Sequence, residues 1–90
     1  MRAYRCISQG KVQGVWYRRH VAEMAKEAGF VGYVRNLPDN TVESVVVTDP
    51  QGLESFKKIL YKGSPMSMVT QVVCEMIDTE ERFETFEVRR

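Results

Sequence analysis

Arg18 closes a glycine-bracketed segment, Gly10-Lys11-Val12-Gln13-Gly14-Val15-Trp16-Tyr17, and stands at the mouth of a predicted helix. Glycine lets main-chain N–H groups turn inward without a Cβ clash. A helix N-terminus adds unpaired N–H groups and a partial positive charge. With a guanidinium fork beside them, these groups make a site for a tetrahedral oxyanion such as phosphate. Other chemistries find fewer residues to work with. His20 is the one histidine, in the first turn of the predicted helix, where a solvated side chain is the ordinary reading. One histidine and two remote cysteines, Cys6 and Cys74, cannot assemble a zinc site of usual composition. Gly10-Lys11 lacks the Ser or Thr that ends a Walker A loop, and with it the hydroxyl that would hold Mg²⁺. The serines have no evident histidine partner for a triad. The expected chemistry therefore uses no metal and no cofactor. Asn36, ahead of Leu37-Pro38-Asp39, reads by itself as a turn starter.

The elements that must carry these residues follow from periodicity. Residues 2–8 read as a first strand, followed by a loop over 9–17. Val21, Met24, Ala25 and Ala28 recur at helical spacing, so a helix is expected over 18–28, stopped by Gly29 as its C′ residue. Residues 30–36 and 41–48 read as strands joined by the turn Leu37-Pro38-Asp39-Asn40. Asp49 and Pro50 open a second helix as N-cap and first helical residue, with Leu53, Phe56, Ile59 and Leu60 as its apolar stripe. Gly63 and Pro65 end it. Residues 68–78 form a fourth strand, and 83–89 a short fifth. The expected fold class is α+β: a ferredoxin-like βαββαβ two-layer sandwich, one antiparallel sheet with two helices on one face and a short extra C-terminal strand. Such a fold hosts many functions and decides none of them.

With 90 residues the chain is read as one domain over 1–90. A domain of that size buries roughly 60–65% of its unfolded surface. Lys and Arg number 13 against 12 Asp and Glu, a net charge of +1, which gives no support to a broad nucleic-acid footprint. No apolar run approaches membrane-spanning length, and no leader precedes the first strand. Cys6 and Cys74 are expected as buried, reduced thiols, in keeping with a cytoplasmic location.

Two segments in order give Asn36 a different weight. Gly10-Lys11-Val12-Gln13-Gly14-Val15-Trp16-Tyr17-Arg18 resembles the first signature of the acylphosphatases, and Gly32-Tyr33-Val34-Arg35-Asn36 resembles their second, continued by Asp39 and Thr41-Val42-Glu43. Gly63-Ser64-Pro65 is similar to the family's Gly-Pro-Pro segment, and Phe86-Glu87-Val88 to its closing strand, so the likeness runs along essentially the whole chain. There are departures. Asn40 stands where glycine is usual, and Tyr17 where phenylalanine is commoner. Ser64 replaces one of the paired prolines and is expected to loosen that segment, and Arg89-Arg90 replaces an aromatic end.

The resemblance implies a small stand-alone enzyme that hydrolyses the carboxyl–phosphate anhydride of acyl phosphates. It implies that the loop Gly14, Val15, Trp16 and Tyr17 cradles the phosphate through main-chain N–H groups. Arg18 is then expected to bind that phosphate and Asn36 to hold the attacking water. In-line attack without metal or phosphoenzyme follows as an expectation, as do phosphate or sulfate as occupants of the loop and a monomeric state without nucleic-acid or membrane partners. Two other readings stand beside it. One is a non-catalytic βαββαβ module that binds an anion or RNA, since Gly29-Phe30-Val31-Gly32-Tyr33-Val34 faintly resembles an aromatic RNA-binding strand. The other is an accessory domain of a larger carbamoyl-transfer protein, against which the short length of the chain counts.

Overall fold

The computed structural model describes residues 1–90. Its elements are β1 (Arg2–Lys11), α1 (Tyr17–Glu27), β2 (Val31–Asn36), β3 (Val42–Thr48), α2 (Pro50–Lys62), β4 (Met68–Ile77) and β5 (Phe86–Arg89). The order is βαββαβ with a short closing strand, as the periodicity implies. The five strands lie in the order β4-β1-β3-β2-β5. Pairings β1–β3, β1–β4 and β2–β3 are antiparallel. β5 departs from the expected antiparallel sheet: it runs parallel to β2, so the sheet is mixed. The chain leaves β4 at one edge and returns as β5 at the opposite edge, which requires the connection over 78–85 rather than a hairpin.

Several boundaries are set by identifiable residues. Ala28 ends α1, and Gly29 follows at φ +86°, its N–H donating to the Lys26 carbonyl. The Asp49 carboxylate caps α2 by accepting from the Gly52 N–H at 2.6 Å, with Pro50 in the first turn. Asn40 takes φ +71°, the left-handed conformation that its type tolerates. β1 is longer than expected, reaching Lys11 through a register shift at Gln9/Gly10. Gly10 makes that irregularity possible, because a Cβ there would lie 2.1 Å from the Met68 carbonyl oxygen.

The apolar stripes of both helices pack on the sheet. Val21 and Ala25 of α1 meet Phe56 and Leu60 of α2 over Cys6, Val34, Val42 and Val46. Phe56 lies 5.5 Å from Phe30 and 5.6 Å from Phe86, so α2, β5 and the residue leading into β2 share one aromatic row. Tyr17 and Ala22, rather than Met24 and Ala28, complete the buried face of α1. Cys6 and Cys74 are directly opposite in the β1–β4 register and form a disulfide. The expectation of reduced thiols is thereby corrected. Antiparallel pairing brings together residues 68 apart in sequence. The inference from free thiols to a cytoplasmic location loses its basis.

The face without helices has its own organiser. Glu43 alternates with the core residues Val42 and Ser44 and points to that open face, yet it is only 3% exposed. Its carboxylate accepts from Arg5 at 2.5 Å, Arg35 at 2.6 Å and the Tyr33 hydroxyl at 3.1 Å. Burial pushes the Glu43 carboxyl up, but the hydrogen bonds from Arg5, Arg35 and Tyr33 outweigh it and hold the group below the usual carboxylate range. A carboxyl lowered in the folded state adds stability at neutral pH that disappears as pH falls through the lowered value. Glu43→Gln is expected to lose about 1–3 kcal/mol at pH 7. In urea titrations at pH 7 and pH 3 the difference from the parent should shrink at the acid end. An undiminished gap at pH 3 would contradict this account.

Candidate active site

One end of the sheet gathers the relevant residues. The β1–β3–β2 register sets Ser8 beside Val42 and Val42 beside Asn36, so the loop leaving β1 and the end of β2 share an edge. β5 ends there too, with Arg89 beside Arg35. Between Lys11 and α1 the chain folds into a tight loop with Gly14 at φ +71° and Trp16 at φ +65°. Gly14 has open space around its missing Cβ, so its requirement is conformational rather than steric.

Three side chains pin this loop from outside. The Gln13 amide donates to the Leu37 carbonyl at 2.9 Å and to the Thr41 carbonyl at 2.8 Å, tying the loop to the turn that follows Asn36. The buried Ser64 hydroxyl donates to the Val15 carbonyl at 2.6 Å. Ser64 therefore tightens the segment it was expected to loosen, because a hydroxyl can reach a loop carbonyl and a proline ring cannot. The Tyr17 hydroxyl lies 2.7 Å from the Leu60 carbonyl and 2.9 Å from the Ser8 hydroxyl. A carbonyl only accepts, so the phenol donates to Leu60, satisfying a carbonyl in the last turn of α2, and Ser8 donates to the phenol. Gly63 leaves room for the ring, since a Cβ there would stand 2.8 Å from it.

With those carbonyls taken, the N–H groups are free. None from Gly14 to Arg19 donates to a main-chain acceptor. They surround the start of α1, where the helix dipole adds positive charge. Arg18 stands among them, its Nη1 donating to the Arg89 carbonyl at 3.0 Å. Across the opening, Asn36 has a buried Oδ1 with no hydrogen-bond partner. Such an atom is unusual enough in a folded protein to call for a ligand. Gly14, Trp16, Tyr17, Arg18 and Asn36 line one cavity of about 370 Å³, completed by Val12, Arg19 and Val88. Of the sequence-derived site residues only Val15 is absent from that lining, being buried behind the loop. No carboxylate, imidazole or thiol borders the cavity, and the one phenol there is turned toward Leu60.

Fold and site together define a small ferredoxin-like protein in which one cavity brings a guanidinium and a run of unpartnered N–H groups at a helix N-terminus to the same opening as an unpartnered amide oxygen. The acylphosphatase family model matches residues 4–88. An acylphosphatase of Nitrosococcus oceani is 42% identical over 85 residues, 94% of each chain. One of Methylococcus capsulatus is 41% identical over 91 residues, covering 100% of this chain and 98% of that one. The crystal structure of acylphosphatase from Bacillus subtilis superposes with a TM-score of 0.90 at 32% identity, covering all of both chains. The chain belongs to the acylphosphatase family and is a hydrolase of small acyl phosphates. Nothing favours the non-catalytic reading. Phe30, of the segment that resembles an RNA-binding strand, packs on Phe56, and Tyr33 on the open face is covered by the Arg89 guanidinium at 4.2 Å.

Gln13, Ser64 and Arg89 were missed as site residues by sequence reasoning. Gln13 and Ser64 donate to main-chain carbonyls far away in sequence, and Arg89 lends its own carbonyl to the distant Arg18, contacts with no local pattern. Tyr17 left one trace: a tyrosine where phenylalanine is commoner has a hydroxyl to place. Burial pushes its phenol up to about 12, with the Ser8 hydrogen bond opposing weakly. A phenol raised in the folded state stabilises fully below its ordinary value near 10 and loses that contribution as pH climbs toward 12. Tyr17→Phe is expected to cost about 1–3 kcal/mol at pH 7, since it strands the Leu60 carbonyl. Between pH 10 and 12 the parent should lose stability faster than the variant. Parallel pH–stability curves from urea denaturation would refute it.

Proposed function

We propose that Arg18 and the main-chain N–H groups from Gly14 onward bind the phosphoryl group, and that Asn36 positions the water that attacks it. The observation that carries this reading is convergence: a guanidinium, a run of unpartnered N–H donors and a buried unpartnered amide oxygen border one cavity. Arg18 remains charged at any working pH, and its fork matches two phosphoryl oxygens. The charge that a metal could supply is thus present in the protein. Each such preorganised donor commonly contributes on the order of 10²–10³ in rate.

Asn36 does not titrate, so it serves as an orienter and not as a base. Its Oδ1 accepts a hydrogen bond from water and turns the oxygen lone pair toward phosphorus. The water oxygen bonds to phosphorus as the bond from phosphorus to the acyl oxygen breaks. The carboxylate departs with that electron pair, and a phosphoryl oxygen takes the proton. A carboxylate is a good leaving group, so no acid is needed behind it. The one potential nucleophile on the cavity, the Tyr17 hydroxyl, is turned away to the Leu60 carbonyl, which supports direct attack without a phosphoenzyme. The same donors would hold inorganic phosphate or sulfate. The site is sized for a small molecule, and one copy of the chain supplies every part of it.

The test is phosphate release from benzoyl phosphate in excess EDTA, with inorganic phosphate as competitive inhibitor. The parent is expected to turn over. Asn36→Ala should lose roughly 10²–10³ in kcat while phosphate still binds, and Arg18→Ala should lose phosphate binding as well. Asn36→Ala with near-parental kcat would overturn the role given to Asn36.

A further inference from the structure

Trp16 is the one large side chain at the mouth of the cavity that no structural contact explains. Its indole is 65% exposed, yet its backbone holds φ +65°, a conformation bulky residues rarely adopt. Strained residues of this kind persist at functional sites, where surrounding structure fixes them. No hydrogen bond involves the indole, and the Trp16 side chain does not cap α1. What the conformation achieves is placement. The ring stands at the opening with the Arg19 guanidinium 6.0 Å from its centroid, and Arg19 is itself held by Glu23 at 3.2 Å. On β5, Val88 presents a half-exposed side chain to the same cavity.

Displacement at phosphorus places the entering and leaving oxygens roughly in line. With the water on Asn36, the acyl group points away from Asn36. The N–H groups and Arg18 are taken by the phosphoryl oxygens. The lining left to meet the acyl group is Trp16, Arg19 and Val88. Arg19 is paired with Glu23 through Nε, which offsets part of its charge toward an acidic acyl group. The wall offers a flat aromatic ring and a valine. Beyond it, a second cavity of about 300 Å³ between α1 and β5 shares Arg19 and Val88 but is lined mostly by polar residues, with Glu23, Lys26 and Glu87 beside Phe86, so the apolar part of the wall is confined to Trp16 and Val88.

We propose that Trp16, backed by Arg19 and accompanied by Val88, is a specificity-determining residue whose ring forms an acyl subsite selecting flat, apolar acyl groups over the acetyl group. The proposal rests on the acyl phosphate hydrolysis assigned above, and names the part of the substrate that the phosphoryl machinery does not touch. Intrinsic reactivity differs between acyl phosphates, but that difference cancels when variants are compared on the same pair.

The experiment measures kcat/KM for benzoyl phosphate and acetyl phosphate in the parent, Trp16→Ala, Trp16→Phe and Val88→Ser. The ratio of benzoyl to acetyl is expected to fall about fivefold in Trp16→Ala, the size of a lost aromatic contact, and to recover largely in Trp16→Phe. Val88→Ser, outside the loop, should lower the ratio about threefold and carries the test where Trp16→Ala does not fold. Loss shared equally by both substrates, leaving the parental ratio in these variants, would overturn the subsite. A parent that hydrolyses neither substrate would overturn the hydrolytic reading along with it.

Discussion

A run of main-chain N–H groups that must stay unpaired is the constraint around which this molecule is built. Backbone donors in a folded protein nearly always find an acceptor, and a loop of small radius would satisfy them by collapsing. From Gly14 to Arg19 that collapse is prevented from outside. Ser64 takes the Val15 carbonyl, Gln13 grips the neighbouring turn, and Tyr17 drives its ring into the core and donates to Leu60. Each anchor comes from, or reaches to, a different element. The loop is therefore only as rigid as the packing of α2 and the β2–β3 turn against it. Gly14 and Trp16 take up the left-handed backbone that this closure demands.

Electrostatics follow the same division between a rigid frame and an open mouth. Arg18 is anchored by a neutral carbonyl rather than a carboxylate, which leaves the rest of its guanidinium and its full charge unpaired. That carbonyl belongs to Arg89, at 3.0 Å. The Arg89 side chain binds Glu81 and Glu87 and lies 4.2 Å over Tyr33. Tyr33 in turn donates to Glu43, which joins Arg5 and Arg35. The open face of the sheet thus carries a polar network from β1 to β5, and its last member aims the arginine at the other side. An aromatic end to the chain is not required, because the contact is made by backbone.

Where sequence and structure agree, the determinants are local. Gly29 ends α1, Asp49 and Pro50 start α2, and Asn40 turns the hairpin, each through a preference expressed within a few residues. The apolar stripe of α2 matches its buried face through Phe56 and Leu60, whereas that of α1 holds at Val21 and Ala25, with Tyr17 and Ala22 buried where Met24 and Ala28 were expected. Glycine, helix start and charge alone single out Arg18, and the structure sets it on the lining of the cavity. Asn36 is not singled out in this way: by itself it is a turn residue, and only resemblance to a known family lifted it. Its orphaned Oδ1 is a tertiary fact: the atom is buried on the cavity and no donor reaches it.

What the sequence by itself determined is the order of elements, the glycine-bracketed segment that ends in Arg18 at a helix start, and, through likeness along its length, the acyl phosphate chemistry. What only the tertiary structure decided is which distant groups meet. Cys6 finds Cys74 at a separation of 68, Ser64 finds Val15 at 49, and Arg18 finds Arg89 at 71. It also decided that β5 runs parallel to β2 and that Glu43 is buried among arginines. The reason is physical. Backbone preferences act over one turn or one strand, whereas strand register and helix packing are settled by the whole core at once. A single residue of register would move Cys74 and Glu43 to opposite faces from the ones they occupy.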